Sequence, residues 1–161
     1  MKPSLITTTH LFLRNTCEND TEQLFRNYCS SVDSSWFLTR EPHKDPTQTA
    51  LFLDKWCSQA WNNSSLQFAW VIALQKTNEA IGTFIVIRDE HKAQIHYGIS
   101  SRFQGQGLMT EAGNAVIEWL SAQKEIQRIW TLCDVKNLAS IRVLEKLGFK
   151  KEGILDVVVQ T

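Results

Sequence analysis

The sequence has no excess charge of either sign, no closely spaced cysteines and no long apolar run. Its 161 residues include 17 basic and 17 acidic side chains, so the formal net charge is zero. A neutral chain lacks the basic surface on which nucleic-acid binding depends. No stretch approaches the roughly 18 apolar residues of a membrane span, and the N-terminus lacks the apolar core of a signal peptide. The sequence therefore predicts neither a nucleic-acid partner nor a membrane partner.

Cysteine and histidine are too scattered to indicate a disulfide framework or a metal site. No two of the four cysteines form a CxxC motif, and no two of the four histidines have metal-ligand spacing. Separated thiols are typical of a reducing compartment. We therefore expect a soluble cytoplasmic protein without a metal. The cysteines are Cys17, Cys29, Cys57 and Cys133.

Length and composition are those of one ordinary globular domain. The chain is 43% hydrophobic and 21% charged, and it contains no internal repeat or low-complexity segment. We expect a single domain over residues 1–161.

Apolar periodicity predicts an alternation of strands and helices. Three central runs rich in β-branched and aromatic residues are joined by short polar connections, which favours an antiparallel meander. Elsewhere apolar residues recur at helical spacing, and Asp20 is a candidate cap for the first helix. The order indicates an α+β domain whose mostly antiparallel sheet becomes parallel near its middle. Predicted strands are His10–Asn15, Leu66–Leu74, Ala80–Arg88, Ala93–Ser100, Arg128–Val135 and Phe149–Val159; predicted helices lie within 18–31 and over Pro46–Trp61, Gly107–Gln123 and Asn137–Leu147; Trp36–Pro46 is a predicted loop.

The stretch "RFQGQGLMTEA" (Arg102–Ala112) places Gly105 and Gly107 just before a predicted helix. A turn that leads into a helix N-terminus directs several N–H groups at an anion, and glycine tolerates positive φ there. A P-loop would need GK followed by Ser or Thr, and this loop reads GLM instead. A Rossmann loop would need a third glycine where Thr110 stands. The spacing therefore excludes a P-loop and disfavours a Rossmann loop. Another kind of phosphate-binding loop and a plain turn both remain open.

Two motifs together resemble a known superfamily. The pattern R-x-x-G-x-G at Arg102, Gly105 and Gly107, followed by TEA, resembles the acetyl-CoA pyrophosphate loop of GNAT acyltransferases. About thirty residues later, "NLASIRVLEKLGFKKEG" (Asn137–Gly153) is similar to the signature of the branch that acetylates the N-termini of ribosomal proteins. The segments "TTHLFLRN" and "AIGTF" are also similar to that branch. The resemblance implies a mostly antiparallel sheet with a splayed parallel strand pair and helices on both faces.

The resemblance also implies an activity and a cofactor. GNAT enzymes move an acetyl group from acetyl-CoA directly to a primary amine, either on a small molecule or at a protein N-terminus. No cysteine is placed for a covalent acetyl-enzyme, so the attack is expected within a ternary complex. A non-catalytic module that binds coenzyme A remains the alternative: Gln94 and the early stop at Thr161 favour it, whereas Asn137 and Ser140 favour the enzyme.

Cofactor contacts are expected mainly from the glycine loop. Main-chain N–H groups from Phe103 to Leu108 would bind the pyrophosphate, and the Thr110 hydroxyl would add a donor unless it faces solvent. Gly98 would mark a bulge beside the pantetheine arm, or else it accommodates a bulky neighbour such as Trp119 or Trp130. The expected cofactor-binding residues are Ile99, Arg102, Phe103, Gln104, Gly105, Gln106, Gly107, Leu108, Thr110, Asn137 and Ser140.

The catalytic residues are less well marked. Asn137 is placed to cap a helix, and the resemblance adds a contact to pantetheine. The resemblance implies that Ser140 lies near the sulfur, as the counterpart of the hydroxyl that serves as general acid in this branch. Many GNAT enzymes use a tyrosine for that step, but this helix has none, so Ser140 or an ordered water must serve. Relatives often carry a glutamate base where Gln94 stands, so His96 is the candidate base, unless it is an ordinary strand residue. Glu41 is a weaker candidate.

The end of the chain departs from the family pattern. Gly148 is expected to terminate its helix in a left-handed conformation, with Phe149 packing back. The family continues past "EGIL" with a hairpin and a final strand, whereas this sequence stops at Thr161. We expect the usual final strand to be missing, and an exposed sheet edge favours pairing in a homodimer. The sequence does not identify the amine.

Overall fold

The computed structural model of the protein describes residues 1–31 and 41–154. The strands of this part are β1 Ile6–Thr7, β2 Leu11–Arg14, β3 Gln67–Leu74, β4 Ala80–Asp89, β5 Lys92–Ile99 and β6 Arg128–Trp130. The helices are α1 Asp20–Leu24, which continues as a π-helical turn Phe25–Cys29; α2 Pro46–Leu53, which continues as a π-helical turn Asp54–Gln59 and then α3 Ala60–Asn62; α4 Leu108–Ser121; and α5 Leu138–Lys146. A short 3₁₀ turn covers Ser101–Phe103.

The strands form one sheet in the order of the sequence. Each of β1 to β4 pairs antiparallel with the next strand, and β5 pairs parallel with β6. The α+β class with a mostly antiparallel sheet is therefore confirmed. Within the described residues the parallel pair lies at the edge of the sheet.

Strands β5 and β6 pair over one short stretch and then separate. Lys92–Gln94 pairs with Arg128–Trp130, and no further pair follows in the described chain. Beyond it the Thr131 hydroxyl donates to the carbonyl of Ile95 at 2.6 Å. A side chain thus replaces the main-chain ladder, which is why the predicted strand Arg128–Val135 ends at Trp130. The predicted splayed pair is confirmed.

Helices cover both faces of this sheet. On one face α4 packs through Ala112, Val116 and Leu120 against a core that includes Trp70 and Ile95. On the other face α1, α2 and their π-helical continuations form a second core. Because neighbours along a strand alternate between faces, β3 contributes to both cores. The second core is Leu24, Tyr28, Cys29, Leu53, Cys57, Ala69, Val71, Ala80 and Ile85.

The first helix starts differently from the expectation. Asn19 holds the N-cap position, and no side chain caps the helix there. The carboxylate of Asp20 is buried and accepts hydrogen bonds from both terminal nitrogens of Arg14, at 2.7 and 3.0 Å. Asp20 also accepts from the N–H of Cys17 at 2.8 Å. The buried Asp20 is therefore the partner of the half-buried Arg14 guanidinium and not the predicted cap, because a charge that leaves water needs an opposite charge.

Two other helix boundaries follow local sequence signals. Asp45 caps α2 by accepting from the N–H of Thr47 at 2.8 Å, and Pro46 occupies the first helical position. At the end of α5, Gly148 has φ of 88°, and the N–H of Phe149 donates to the carbonyl of Leu144 at 3.0 Å. The predicted helix stop at Gly148 is confirmed.

Two predicted segments fall partly outside the described residues. Of the predicted loop Trp36–Pro46, residues 36–40 lie outside, and the part before α2 is irregular. Of the predicted strand Phe149–Val159, residues 155–159 lie outside. The part up to Ile154 forms no strand, so the prediction is wrong for residues 149–154.

Candidate active site

The glycine loop joins the end of β5 to the start of α4. Gly105 and Gly107 have φ of 79° and 78°, and Gly107 holds the N-cap position of α4 in the left-handed conformation. A Cβ atom at either position would meet nothing within 4 Å. These glycines are therefore required by backbone conformation and not by lack of space.

The donors that remain open in this loop begin at Gly105. The N–H of Phe103 donates to the carbonyl of Ser100 at 2.9 Å, and the N–H of Gln104 donates to Ser101 at 3.3 Å. Among the described residues, the N–H groups of 105–110 have no protein acceptor, and the first amide of α4 to bond back is that of Glu111, to Gly107. Open amides at the start of a fourteen-residue helix are suited to bind an anion. Phe103 and Gln104 use their N–H groups within the 3₁₀ turn, so the predicted donors Phe103–Leu108 are reduced to those from Gly105 onward.

Side chains around the loop divide between solvent and core. Arg102 is exposed, and its guanidinium lies 5.1 Å from the ring centroid of Phe103. Thr110 is half-buried in the first turn of α4, whereas Leu108 is buried and offers only its main chain. Gln104 donates from Nε2 to the carbonyl of Ile99 at 3.3 Å, which links the loop to β5.

Glu111 anchors the first turn of α4 to the turn between β1 and β2. Its carboxylate accepts from the N–H of His10 at 2.9 Å, contacts His10 Nδ1 at 2.7 Å, and accepts from the hydroxyl of Thr8. Burial alone would raise the pKa of Glu111, but the hydrogen bonds from His10 and Thr8 outweigh it and lower the pKa. The carboxylate is therefore hydrogen-bonded to donors more than 100 residues earlier in the chain.

Gly98 allows a close approach of a side chain, and β5 has no bulge in its pairing with β4. The register is unbroken from the Gly82–Ile99 pair to the Asp89–Lys92 pair, so the predicted bulge is wrong. A Cβ on Gly98 would overlap the hydroxyl of Tyr28. The glycine therefore accommodates a bulky neighbour, which is Tyr28 and not Trp119 or Trp130.

Asn137 and Ser140 lie together at the start of α5. Asn137 holds the N-cap position, and its Oδ1 accepts from the N–H of Ser140 at 3.2 Å. The predicted cap is confirmed, and the amide nitrogen of Asn137 is not used for it. Cys133 lies half-buried in the segment that leads to this helix.

Tyr97 is the functional candidate that sequence reasoning missed. Its hydroxyl lies 3.2 Å from the Oγ of Ser140, and burial raises its pKa to about 12. The tyrosine sits on β5 and not on the serine's helix, 43 residues away. The only sequence signal for it was its position on the same face of β5 as Ile95.

His96 lies on the opposite face of β5 from Tyr97, because consecutive strand residues alternate. Burial lowers its pKa, which favours the neutral imidazole that can accept a proton. Gln94 shares its face, whereas Glu41 is exposed just after residues 32–40. The structure thus places the candidate base His96 on one face of β5, and Tyr97, which contacts the candidate acid Ser140, on the other face.

No three His, Cys, Asp or Glu side chains converge as a metal centre would require within residues 1–31 and 41–154. In the same part of the molecule, no helix has the length and apolar character needed to cross a membrane.

Comparison with known families settles what kind of fold surrounds this loop. Residues 10–150 match the model of the acetyltransferase (GNAT) domain. The chain belongs to the GNAT acetyltransferase family. The "uncharacterized N-acetyltransferase p20" of Bacillus licheniformis is 27% identical over 151 residues, which are 92% of this chain and 83% of that protein.

Two other relatives of this GNAT chain match over shorter segments. "Probable N-acetyltransferase YjcK" of Bacillus subtilis is 39% identical over 75 residues, which are 46% of this chain and 41% of that protein. The ribosomal protein uS5-alanine N-acetyltransferase of Escherichia coli is 38% identical over 63 residues, which are 39% of this chain and 32% of that protein. The homologues therefore include enzymes that act on ribosomal proteins.

Solved structures share the fold at lower identity. A GNAT-family acetyltransferase from Bacillus anthracis has a TM-score of 0.79 and 22% identity, covering 93% of this chain and 86% of that one. RimL, described as a ribosomal L7/L12 α-N-protein acetyltransferase in complex with coenzyme A, has a TM-score of 0.77 and 24% identity over the same shares. In that complex a disulfide joins coenzyme A to a cysteine.

Proposed function

We propose that this GNAT protein transfers an acetyl group from acetyl-CoA to a primary amine by direct attack in a ternary complex. The observation that supports this most directly is the set of open amides from Gly105 to Thr110. They stand at one end of the gap between β5 and β6, and the Ser140 hydroxyl lies beside the same gap.

The residues present fit the parts of coenzyme A. The open amides and the start of α4 favour a pyrophosphate, the Thr110 hydroxyl adds a donor, and the exposed Arg102 adds positive charge. The carbonyls of Ile95 and Ile99 accept hydrogen bonds from the side chains of Thr131 and Gln104. These carbonyls therefore lie on the edge of β5 that is opposite to β4.

An extended pantetheine chain would lie along that edge of β5 like an added strand. Main-chain groups of Tyr97 and Ile99 would bind it, because alternate residues of a strand present their polar groups to the same neighbour. The unused amide nitrogen of Asn137 would bind it from the opposite side of the gap.

Two side chains would move protons. When bound, acetyl-CoA supplies the acetyl thioester and departs as a thiol. Ser140 would donate its hydroxyl proton to the departing sulfur, and His96 would accept the proton that the amine loses. Because burial lowers the pKa of His96, the acid limb of the pH–rate profile is expected below the pKa of an ordinary histidine.

The acceptor that the relatives favour is the amine of a protein N-terminus. The uS5-alanine acetyltransferase and RimL are both described as acting on ribosomal proteins. Small-molecule amines remain as competing acceptors. None of the four cysteines forms a disulfide within the described residues, which agrees with a reducing compartment such as the cytoplasm.

Cys133 offers a way to locate the thiol end of the cofactor. It lies four residues before Asn137, and its Sγ is 3.9 Å from the Asn137 carbonyl. We place the coenzyme A sulfur near this thiol, since coenzyme A forms a disulfide with a cysteine in the RimL complex.

A thiol-release assay tests the transferase against the non-catalytic module. Purified protein is mixed with acetyl-CoA and a panel of amines and N-terminal peptides, and free thiol is measured. The proposal expects amine-dependent release that falls about 100-fold or more in Ser140→Ala, whereas Ser121→Ala at the far end of α4 leaves it unchanged. Binding without release for any amine would favour the non-catalytic module, and unchanged turnover in Ser140→Ala would remove the serine from its role.

A further inference from the structure

The hydroxyl groups of Tyr97 and Ser140 meet across the gap between β5 and α5. Their oxygens lie 3.2 Å apart, and the tyrosine oxygen lies 3.5 Å from the main-chain carbonyl of Ser140. The two residues are 43 positions apart in the sequence, so this contact depends on the tertiary fold. Within the described chain, Tyr97 is the side chain found to contact the Ser140 hydroxyl.

Both partners are held in place by other contacts. The Tyr97 ring stacks on Phe84 with centroids 5.4 Å apart and an interplanar angle of 27°. The N–H of Ser140 bonds the cap residue Asn137 at 3.2 Å. Because each residue is fixed from its own side, the pair has a defined geometry.

The direction of the hydrogen bond follows from acidity. Burial raises the pKa of Tyr97 to about 12, so its hydroxyl keeps its proton throughout the neutral range. A phenol is a stronger donor than an aliphatic alcohol, so the tyrosine donates and the serine accepts. The hydrogen of Ser140 is then left for another acceptor.

A serine in a helix commonly directs its hydroxyl hydrogen at a nearby backbone carbonyl of the same helix. A donor on the far side of the oxygen changes which orientations of that hydrogen are favourable. Tyr97 lies on β5, so its hydroxyl hydrogen occupies the lone pair of Ser140 Oγ that faces that strand. The Ser140 hydrogen can then be presented to a group bound in the gap.

We propose that Tyr97 is a positioning residue that donates to Ser140 Oγ and directs the serine hydroxyl proton toward the gap between β5 and β6. This inference rests on the proposed function, in which Ser140 protonates the departing sulfur. As the C–N bond forms and the C–S bond breaks, the sulfur keeps the electron pair and takes the Ser140 proton. The amine proton passes through His96 to solvent, Ser140 regains a proton from solvent, and Tyr97 retains its own.

Tyr97→Phe tests the role kinetically, because it removes the hydroxyl and keeps the ring on Phe84. The expected result is a fall in kcat of about tenfold, the effect of one lost hydrogen bond, with KM for acetyl-CoA and calorimetric affinity for coenzyme A changed less than about twofold. In a Ser140→Ala background, Tyr97→Phe should cause no further fall. Tyr28→Phe, which removes the other tyrosine hydroxyl of the chain, is the matched control and should leave kcat unchanged.

A measurement on the free protein tests the contact without any turnover. The chain has two tyrosines, so a carbon-13 label at tyrosine Cζ gives two resonances, and Tyr28→Phe assigns them. Ser140→Ala should shift the Tyr97 resonance at neutral pH, because Cζ responds to the hydrogen bond of its oxygen.

The outcomes separate the two proposals. An unshifted Tyr97 resonance overturns the positioning role. So does a Tyr97→Phe protein that turns over like the wild type while Ser140→Ala is impaired. A wild-type protein that neither binds coenzyme A nor releases thiol overturns the proposed function, and the resonance still decides whether the two hydroxyls are bonded.

Discussion

Glu111 Oε1 lies 2.7 Å from His10 Nδ1, while Glu111 Oε2 accepts from the main-chain N–H of His10 at 2.9 Å. The first turn of α4 is thereby attached to the turn between β1 and β2. The open amides, from Gly105 to Thr110, directly precede Glu111 in the sequence. Glu111 therefore holds the start of α4, next to the proposed pyrophosphate site, in place.

Removal of this carboxylate should destabilise the fold. Glu111→Ala leaves the N–H of His10 and the hydroxyl of Thr8 without their acceptor, which is expected to lower the free energy of unfolding by about 1–2 kcal/mol. Urea denaturation measures the change. Glu118→Ala, at an exposed position of the same helix, is the control and should change the free energy by less than about 0.5 kcal/mol. Equal effects of the two substitutions would contradict the anchoring role.

The same contact should make stability depend on pH. The hydrogen bonds from His10 and Thr8 give Glu111 a lower pKa in the folded protein than in the unfolded chain. Its contribution is therefore complete above the ordinary carboxyl pKa and is lost as pH falls through the folded pKa. The wild type should lose stability over this acid range more steeply than Glu111→Ala in denaturation curves. Parallel curves for the two proteins would show that Glu111 is not the group responsible.

Gly107→Ala should weaken acetyl-CoA binding more than it destabilises the fold. Alanine in the left-handed conformation costs about 1–2 kcal/mol, and the loop can relieve that strain only by turning its open amides. We expect the dissociation constant for acetyl-CoA to rise about tenfold by calorimetry, a change of about 1.4 kcal/mol. Gly153→Ala, at a glycine without positive φ or close neighbours, should leave affinity unchanged. Wild-type affinity in Gly107→Ala would argue against the loop as the binding element.

Gly98→Ala should destabilise the protein by overpacking, and Tyr28→Phe should partly restore it. The added methyl group would overlap the tyrosine hydroxyl, a conflict expected to cost about 1–3 kcal/mol. At Gly82 the obstacle is instead the main-chain oxygen of Gly98. Thermal unfolding of both alanine variants, each with and without Tyr28→Phe, should show rescue at Gly98 only. Rescue at both positions, or at neither, would mean that Tyr28 is not the obstacle.

Cys133 should react selectively with the disulfide of coenzyme A. Thiol–disulfide exchange would join the cysteine to one coenzyme A and release the other as a thiol. A bound nucleotide raises the local concentration at Cys133 but not at the exposed Cys17. Peptide mass spectrometry should therefore find that coenzyme A disulfide modifies Cys133 first. Modification by glutathione disulfide should not show this preference. Preferential modification of Cys17 by both reagents would place the cofactor sulfur elsewhere.

Most of the fold could be predicted because its elements are determined by local pattern. The runs of β-branched and aromatic residues in β3, β4 and β5 and the apolar spacing of α4 needed no tertiary information. Helix ends with strong local signals, such as Asp45 and Gly148, were also predictable. The short β6 was not, because the Thr131 side chain ends its ladder by a contact with β5.

The candidate site was only partly predictable for the same reason. The glycine loop and the cap at Asn137 are local motifs. The Tyr97–Ser140 contact joins a strand to a helix across a gap. Asp20 pairs with Arg14 instead of capping the first helix. Such pairings depend on how far apart two strands splay or on which charge is buried. No sequence period contains that information.

A calorimetric titration of the wild-type protein with acetyl-CoA tests the central claim most directly. The open amides from Gly105 to Thr110 and the gap between β5 and β6 predict saturable binding at one site, with a dissociation constant between about 1 μM and 1 mM. Coenzyme A should compete for that site. The absence of saturable heat at cofactor concentrations on the order of 1 mM would contradict both the enzyme and the non-catalytic alternative.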